Sequence, residues 1–317
     1  MKRVLVLGAG LVAGPLVRYL LAVDRFEVTV ASRTVSKAET LIGAAANGTA
    51  LALDVKDELE LERLIAEHDL SISLLPYVYH PLVAGFCVKH RKQMVTTSYV
   101  KDAMTALDGA AKEAGVILLN EIGVDPGIDH MSAIQVIDKI EEDGGTLVSF
   151  TSNTGGLPAP DANDNPMGYK FSWAPRGVVM AGKNPAKYMK DGEVVDVPGP
   201  ELFSHHWPCK IVGFGELEVY PNRDSMPYVE SYHIPTVKSM FRGTLRYPGW
   251  CATLKAIVDL GLLDETERDD MAGLTYGQLC ARLIGSNGAT LKQDLATHLG
   301  ISIDAKPITD LEWLGLL

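Results

Sequence analysis

Only four cysteines occur in 317 residues, Cys87, Cys209, Cys251 and Cys280, far apart and without a CxxC pair. That excludes a zinc ribbon or a disulfide framework and leaves reduced thiols that read as core filler. Positive charge is also scarce: 29 Lys and Arg stand against 40 Asp and Glu, a formal charge of -11. No basic stripe is visible, so a binder of nucleic-acid backbone is excluded. Aromatic residues make up 7% of the chain and carry no interface signal. No stretch approaches the roughly 18 apolar residues that a membrane span needs. The apolar run after Met1-Lys2-Arg3 stops at Gly8 with no small-residue cleavage site following, so it reads as a buried strand rather than a signal peptide, and the cytoplasm is the expected compartment. What is present is an ordinary globular hydrophobic fraction of 47%. At this length one core becomes unwieldy, which predicts two lobes.

Up to about residue 120, short apolar runs alternate with amphipathic stretches. Strands are expected at residues 4–7, 28–31, 50–53, 70–75, 94–97 and 116–119. Between them, spacings such as Leu59, Leu61, Leu64 and Ile65 place apolar side chains on one helical face. Repeated strand-helix units predict a doubly wound α/β domain, a parallel sheet with helices on both faces. After Asp129 the pattern changes. A helix over 131–141 leads to a strand over 147–151, then to a loop over 155–168 rich in Gly, Pro, Asn and Asp. Residues 187–197 alternate around Asp191-Gly192, a dipeptide suited to a tight hairpin turn. With further strands at 216–220 and 244–247, the second lobe reads as α+β with antiparallel character. The expected domains are 1–128 and 129–317.

Gly8-Ala9-Gly10-Leu11-Val12-Ala13 follows the first strand and opens the first helix. Small residues there let the backbone approach a pyrophosphate at a helix N-terminus. Spacing alone would also suit a tight turn with no ligand, but the position at the head of a strand-helix-strand unit favours a dinucleotide. Ala13 replaces the usual third glycine, and Pro15 falls in the first helical turn, where its missing N–H costs little. The end of the second strand reads Val30-Ala31-Ser32-Arg33-Thr34 and lacks the acid that binds the ribose of NAD. Two hydroxyls and a guanidinium suit a 2′-phosphate instead, which predicts NADP. Ligands on open sheets lie at the carboxyl ends of the strands. Asp54-Val55, Leu75-Pro76 and Thr97-Ser98-Tyr99 hold those positions.

Longer strings carry a family resemblance. Ser73-Leu74-Leu75-Pro76-Tyr77, Thr97-Ser98-Tyr99 and the run from Asn120 to His130 resemble the glutamate-forming saccharopine dehydrogenases. So do Gly155-Gly156-Leu157-Pro158-Ala159-Pro160, Asp164-Asn165-Pro166, Tyr169-Lys170-Phe171-Ser172-Trp173, Tyr220-Pro221-Asn222-Arg223-Asp224-Ser225 and Arg242-Gly243-Thr244-Leu245-Arg246-Tyr247. The likeness spans essentially the whole chain. It implies a Rossmann NADP-binding domain, and an α+β second domain with a mixed sheet that carries substrate binding and dimerisation in a homodimer. The implied reaction is NADPH-dependent reductive condensation of glutamate with 2-aminoadipate 6-semialdehyde, giving saccharopine, in lysine metabolism. Cofactor contacts are implied at Gly10, Leu11, Val12, Ala13, Ser32, Arg33, Thr34, Asp54, Val55, Leu75, Thr97, Ser98, Val124, Asp125, Pro126 and Ser172. Substrate contacts are implied at Ser98, Tyr99, Asp125, Arg223, Thr244, Leu245 and Arg246.

The chemistry of these residues agrees. A ligand with three carboxylates and two amines needs bidentate cations, supplied by Arg223 and Arg246, and an acid for an amine, supplied by Asp125. Tyr99 and Asp125 are the candidates for proton handling, with plain orientation of the substrate by hydrogen bonds as the alternative. His205-His206 with Cys209 lacks a second pair at zinc-like spacing and reads as a surface loop. His80 is expected at a helix start, where the resemblance implies a place beside the cofactor crevice, Asp129 as a helix N-cap and His130 as a packing residue. Two departures stand out. Ser152-Asn153-Thr154 replaces the family's Tyr-Cys, which puts a role for that thiol in doubt, and relatives continue beyond the string 311–316, which predicts an exposed apolar patch on both lobes. Two other functions compete: an opine-type or polyamine-type imine dehydrogenase, and a catalytically silent NADP-binding part.

Overall fold

The computed structural model describes residues 1–317. It divides into two compact units, Met1–Ala133 with Ser172–Ala174, and Ile134–Phe171 with Pro175–Leu317.

In the first unit the chain runs β1 (Lys2–Leu7), α1 (Ala13–Leu21), β2 (Phe26–Ser32), α2 (Val35–Ile42), β3 (Gly48–Ala52), α3 (Glu58–Glu67) and β4 (Leu70–Ser73). It continues through α4 (His80–Lys89), β5 (Gln93–Thr96), α5 (Asp102–Thr105), α6 (Asp108–Ala114), β6 (Leu118–Leu119) and α7 (Ile128–Glu142), which crosses into the second unit. The six strands are parallel in the order β3-β2-β1-β4-β5-β6. Strand β1 shows why the sheet is buried on both sides. Leu5 and Leu7 pack with Leu61, Leu64 and Ile65 of α3 and Val83 and Ala84 of α4. Val4 and Val6 pack with Ala13, Val17 and Leu20 of α1 and Ala38 and Ile42 of α2. A continuous apolar run is the signature of such a strand. Helix α3 starts where Asp57 accepts a hydrogen bond from the Glu60 amide at 3.2 Å.

The strand expected over 70–75 ends at Ser73, and that expected over 116–119 pairs only at Leu118 and Leu119. The last bond of the ladder runs from the Leu74 amide to Leu7 O at 2.9 Å, and Leu75 lies beyond it, at the edge where a ligand would sit. Helix α7 starts at Ile128, so Asp129 is not its N-cap but stands in its first turn, where Oδ1 accepts the Gly127 amide at 2.7 Å. The acid still meets an N-terminal amide and favours the helix dipole.

The second unit contains β7 (Ser149–Thr154), α8 (Pro175–Val179), β8 (Ala186–Lys190), β9 (Glu193–Val197), β10 (Trp207–Ile211), β11 (Gly215–Pro221), α9 (Pro227–Ser231) and β12 (Ser239–Arg246). Four helices follow: α10 (Trp250–Asp259), α11 (Tyr276–Ile284), α12 (Leu291–Leu299) and α13 (Lys306–Trp313). Strands β10-β11-β12-β8-β9 are antiparallel neighbours, while β7 pairs with β12 in parallel, so the sheet is mixed. The hairpin turn between β8 and β9 falls on Asp191 (φ 52°) and Gly192 (φ 89°), the positive angles that this dipeptide tolerates. Strand β10 was not expected. It carries Pro208 but lies at the sheet's edge, where a missing donor is harmless. One core packs the sheet on Phe203, Trp250, Cys251 and Leu254, and a second joins Cys280, Leu295, Ile308 and Leu311 of the terminal helices.

Candidate active site

Every expected cofactor residue of β1 to β6 falls at or just past the carboxyl end of its strand. Gly8 has φ 110°, and a Cβ there would stand 3.1 Å from the Leu74 carbonyl oxygen, so the turn needs glycine for its own fold. Gly10 is different: a Cβ there would meet nothing within 4 Å. That open space over the turn is where a diphosphate can approach the backbone. Helix α1 begins at Ala13, whose amide bonds Gly10 O at 3.2 Å, and no side chain caps that end against an approaching anion.

At the end of β2, Ser32 Oγ accepts the Thr34 amide at 3.3 Å, while Arg33 is exposed and has no ion-pair or hydrogen-bond partner. A solvent-facing guanidinium between two hydroxyls fits a 2′-phosphate. Asp54 is exposed and turns its carboxylate to the Lys56 amide at 3.0 Å, and Val55 is buried. Leu75 is half-buried against the β1 core, Thr97 is exposed and Ser98 half-buried. The donor set thus fits NADP.

The structure brings Tyr99 and Asp125 together: the Tyr99 hydroxyl donates to Asp125 Oδ1 at 2.6 Å. Both follow strand ends, Tyr99 after β5 and Asp125 after β6. Their loops are tied by the Glu121 amide on Ser98 O at 3.1 Å and the Ile122 amide on Thr96 O at 3.2 Å. The Glu121 side chain adds two links, accepting the Val100 amide at 2.9 Å and His130 Nε2 at 3.0 Å. His130, expected only to pack, is therefore a member of this polar scaffold. The turn that carries Val124, Asp125 and Pro126 closes on itself through Gly123 N to Pro126 O at 2.8 Å and Asp129 N to Val124 O at 3.0 Å. Gly127 permits it, because a Cβ there would collide with Gly123. Ser172 is exposed and belongs with the first unit.

A second polar group gathers around His80, expected beside the cofactor crevice but without these partners. His80, the first residue of α4, is 3% exposed. Its Nδ1 lies 2.9 Å from Ser73 Oγ, and its Nε2 lies 2.8 Å from Ser98 Oγ and 3.1 Å from Thr96 Oγ1. Burial lowers its pKa to about 4, so the ring is neutral at physiological pH. The His80-Pro81 dipeptide marks a helix start, but nothing in it marks these three hydroxyls.

In the second unit, Thr244, Leu245 and Arg246 end β12, opposite Tyr220, Val219 and Glu218 of β11. Gly155 approaches this strand so closely that a Cβ would stand 2.8 Å from Leu245 O. Arg246 is 6% exposed. Its Cζ is 5.0 Å from the Tyr169 ring centroid, 5.4 Å from Trp250 and 6.0 Å from Tyr220. One Nη donates to Leu245 O at 2.8 Å and Nε has no partner. No carboxylate pairs with it. A buried cation held on aromatic faces with open donors is a site for an anion. The aromatic cage was another feature that sequence reasoning did not find. Arg223 is exposed, with φ 57°, in the loop after β11, where its carbonyl accepts the Lys187 amide at 2.9 Å.

No group of three His, Cys, Asp or Glu side chains is placed to hold a metal, and His206 Nδ1 binds Phe203 O at 2.7 Å. All four cysteines are free. Burial pushes the Cys87 thiol up to about 11, and burial next to Glu218 pushes Cys251 further still, so neither is a ready nucleophile. Lys170 pairs with Asp164 at 2.9 Å.

A parallel sheet in the order 3-2-1-4-5-6, with a glycine turn after the first strand and an unpaired arginine after the second, defines a dinucleotide-binding oxidoreductase fold. Two family models match in series: the saccharopine dehydrogenase NADP binding domain over residues 4–119 and the saccharopine dehydrogenase C-terminal domain over residues 123–309. A relative from Schizosaccharomyces pombe, saccharopine dehydrogenase (NADP(+), L-glutamate-forming), is 43% identical over 326 residues, covering 100% of this chain and 72% of its own. The mitochondrial alpha-aminoadipic semialdehyde synthase of Bos taurus is 42% identical and covers 100% of this chain and 35% of its own. A solved structure, the apo saccharopine dehydrogenase (L-Glu forming) of Saccharomyces cerevisiae, superposes with a TM-score of 0.84 at 38% identity, covering 100% of this chain and 72% of that one. The chain belongs to the saccharopine dehydrogenase family.

Proposed function

We propose that this chain catalyses the reversible NADP-dependent interconversion of saccharopine and water with glutamate and 2-aminoadipate 6-semialdehyde. In the oxidative direction the methylene carbon on the aminoadipate side of the bridging amine loses a hydride, the resulting imine takes up water, and the bond from that carbon to nitrogen breaks to release glutamate and the aldehyde. Bound NADP supplies the hydride acceptor, and NADPH the donor in reverse.

The protein's own groups bind, orient and move protons. The turn Gly8 to Ala13 faces the diphosphate, and Arg33 with Ser32 and Thr34 the 2′-phosphate. Arg246 and Arg223 take substrate carboxylates, with Thr244 and Leu245 beside them. The observation that supports this reading best is the Tyr99 hydroxyl donating to Asp125 at 2.6 Å, at the carboxyl edge of the cofactor sheet. With its proton committed to Asp125, Tyr99 offers lone pairs to an ammonium group, and Asp125 can accept a proton from the attacking water. Help of this kind contributes about 10² to 10⁴ in rate. Incubation with saccharopine and NADP should yield glutamate and NADPH in equal amounts, measured by mass spectrometry and absorbance. Reduction of another imine in preference to this one would overturn the assignment.

A homodimer in the cytoplasm is part of the same proposal. The family resemblance supports the dimer, and four free thiols support a reducing compartment. Light scattering of the purified protein and fractionation of cells test the two points.

A further inference from the structure

Ser73 ends β4 and Thr96 ends β5, and the two residues are register partners on adjacent strands. His80 opens α4 and lays its ring across both strand ends. Ser73 is 0% exposed, and its hydroxyl has no side-chain partner except His80 Nδ1. On the other side Nε2 meets Ser98 Oγ at 2.8 Å and Thr96 Oγ1 at 3.1 Å, and the Ser98 amide also points at Thr96 Oγ1, at 3.4 Å. Ser98 alone of the three serine and threonine residues is half-buried rather than buried. It is thus the one member of the cluster that reaches the ligand edge, and its hydroxyl is held from behind.

We propose that His80 is a positioning residue that fixes the Ser98 hydroxyl for binding of the amino-acid substrate. This rests on the proposed function only for the identity of that substrate. A serine hydroxyl rotates freely unless a partner selects one orientation. A ring clamped at both nitrogens and buried in the strand ends supplies that partner without the entropy loss of a flexible side chain. The ring is neutral because burial holds its pKa near 4. It therefore adds no charge at the cofactor edge, and proton transfer is left to Tyr99 and Asp125. A glutamine here would carry its amide to the Nε2 position and keep the Ser98 contact, whereas the shorter asparagine would reach only the Ser73 side.

A double-mutant cycle tests the proposal. His80→Asn should lower kcat/KM for saccharopine about tenfold, the scale of one hydrogen bond, chiefly through the KM for saccharopine, while the KM for NADP, whose site Ser98 also borders, should rise by less. Ser98→Ala should do the same, and the pair should lose no more than either alone. His80→Gln should recover most of the loss. Additive losses, an effect confined to NADP, or no recovery with glutamine would overturn it. A readout that needs no turnover separates this proposal from the reading of the substrate: in ¹⁵N-labelled protein, the His80 ring resonances should move on Ser98→Ala. Unmoved resonances would sink the positioning role whatever the substrate proves to be, whereas moved resonances in a protein inert to saccharopine would indict the substrate assignment alone.

Discussion

Glu218 and Arg246 are direct cross-strand partners on β11 and β12, both buried, yet they do not pair. The Glu218 carboxylate instead accepts the amides of Gly249 at 3.0 Å and Cys251 at 2.5 Å, at the N-terminus of α10. That location satisfies the acid through backbone donors and the helix dipole. Arg246 is left with aromatic rings and one carbonyl, and its Nε has no partner.

Arg246→Met therefore separates function from stability. Loss of a buried, charge-assisted contact to a substrate carboxylate should cost about 2–5 kcal/mol of binding, or roughly 30-fold or more in kcat/KM for saccharopine. The free protein should lose little stability, because Arg246 makes no ion pair and the Glu218 carboxylate keeps its two backbone amides. Steady-state kinetics and calorimetry report the two numbers. A fall in melting temperature with normal kinetics would assign Arg246 to structure.

Arg33→Ala should raise the KM for NADP about 10- to 100-fold, the scale of one charge-assisted hydrogen bond, while NAD is used as before. The side chain is exposed and without partners, so the fold is unaffected. The ratio of kcat/KM for the two cofactors measures the effect. An unchanged ratio would remove Arg33 from the phosphate site.

The glycines of the first turn should fail in different ways. Gly8→Ala places a side chain at φ 110° and 3.1 Å from Leu74 O, so it should lower the melting temperature of the protein. Gly10→Ala meets open space in the protein, so stability should hold while NADPH affinity falls. Calorimetry and fluorescence titration together decide it, and tight NADPH binding by the Gly10 variant would move the diphosphate elsewhere.

The six parallel strands were legible because a strand buried on both faces is written as an unbroken apolar run, as in Val4 to Leu7. NADP as the cofactor was legible because the string that suggested it, Ser32-Arg33-Thr34, is local, and the matching family model is an NADP binding domain. Strand β10 was not, since Pro208 and the preceding His205-His206 read as a loop, and only the edge position in the finished sheet makes proline acceptable. Side-chain partnerships escaped for a similar reason. Tyr169 and Arg246 are far apart in sequence, and His80 meets Ser98 only because β4 and β5 are neighbours. Contacts set by sheet order leave no spacing to read.

Acid should weaken the first unit. The His80 ring takes a proton near pH 4 when folded and near its ordinary 6.5 when unfolded, and burial also lowers the pKa of His68. The unfolded chain therefore binds more protons as the pH falls through 6.5. Stability that is whole above pH 6.5 is lost toward pH 4, by up to about 3 kcal/mol from His80. Melting temperatures across that range should fall, and fall less steeply in His80→Gln. Equal slopes would show that another group governs acid stability.

The most direct test of the central claim is the rate of NADPH formation from saccharopine, with NADP and NAD in parallel and Asp125→Asn as comparison. The account predicts turnover that prefers NADP and drops by about 10² to 10⁴ in the variant. Turnover that prefers NAD, or that survives the loss of the Asp125 carboxylate, would contradict it.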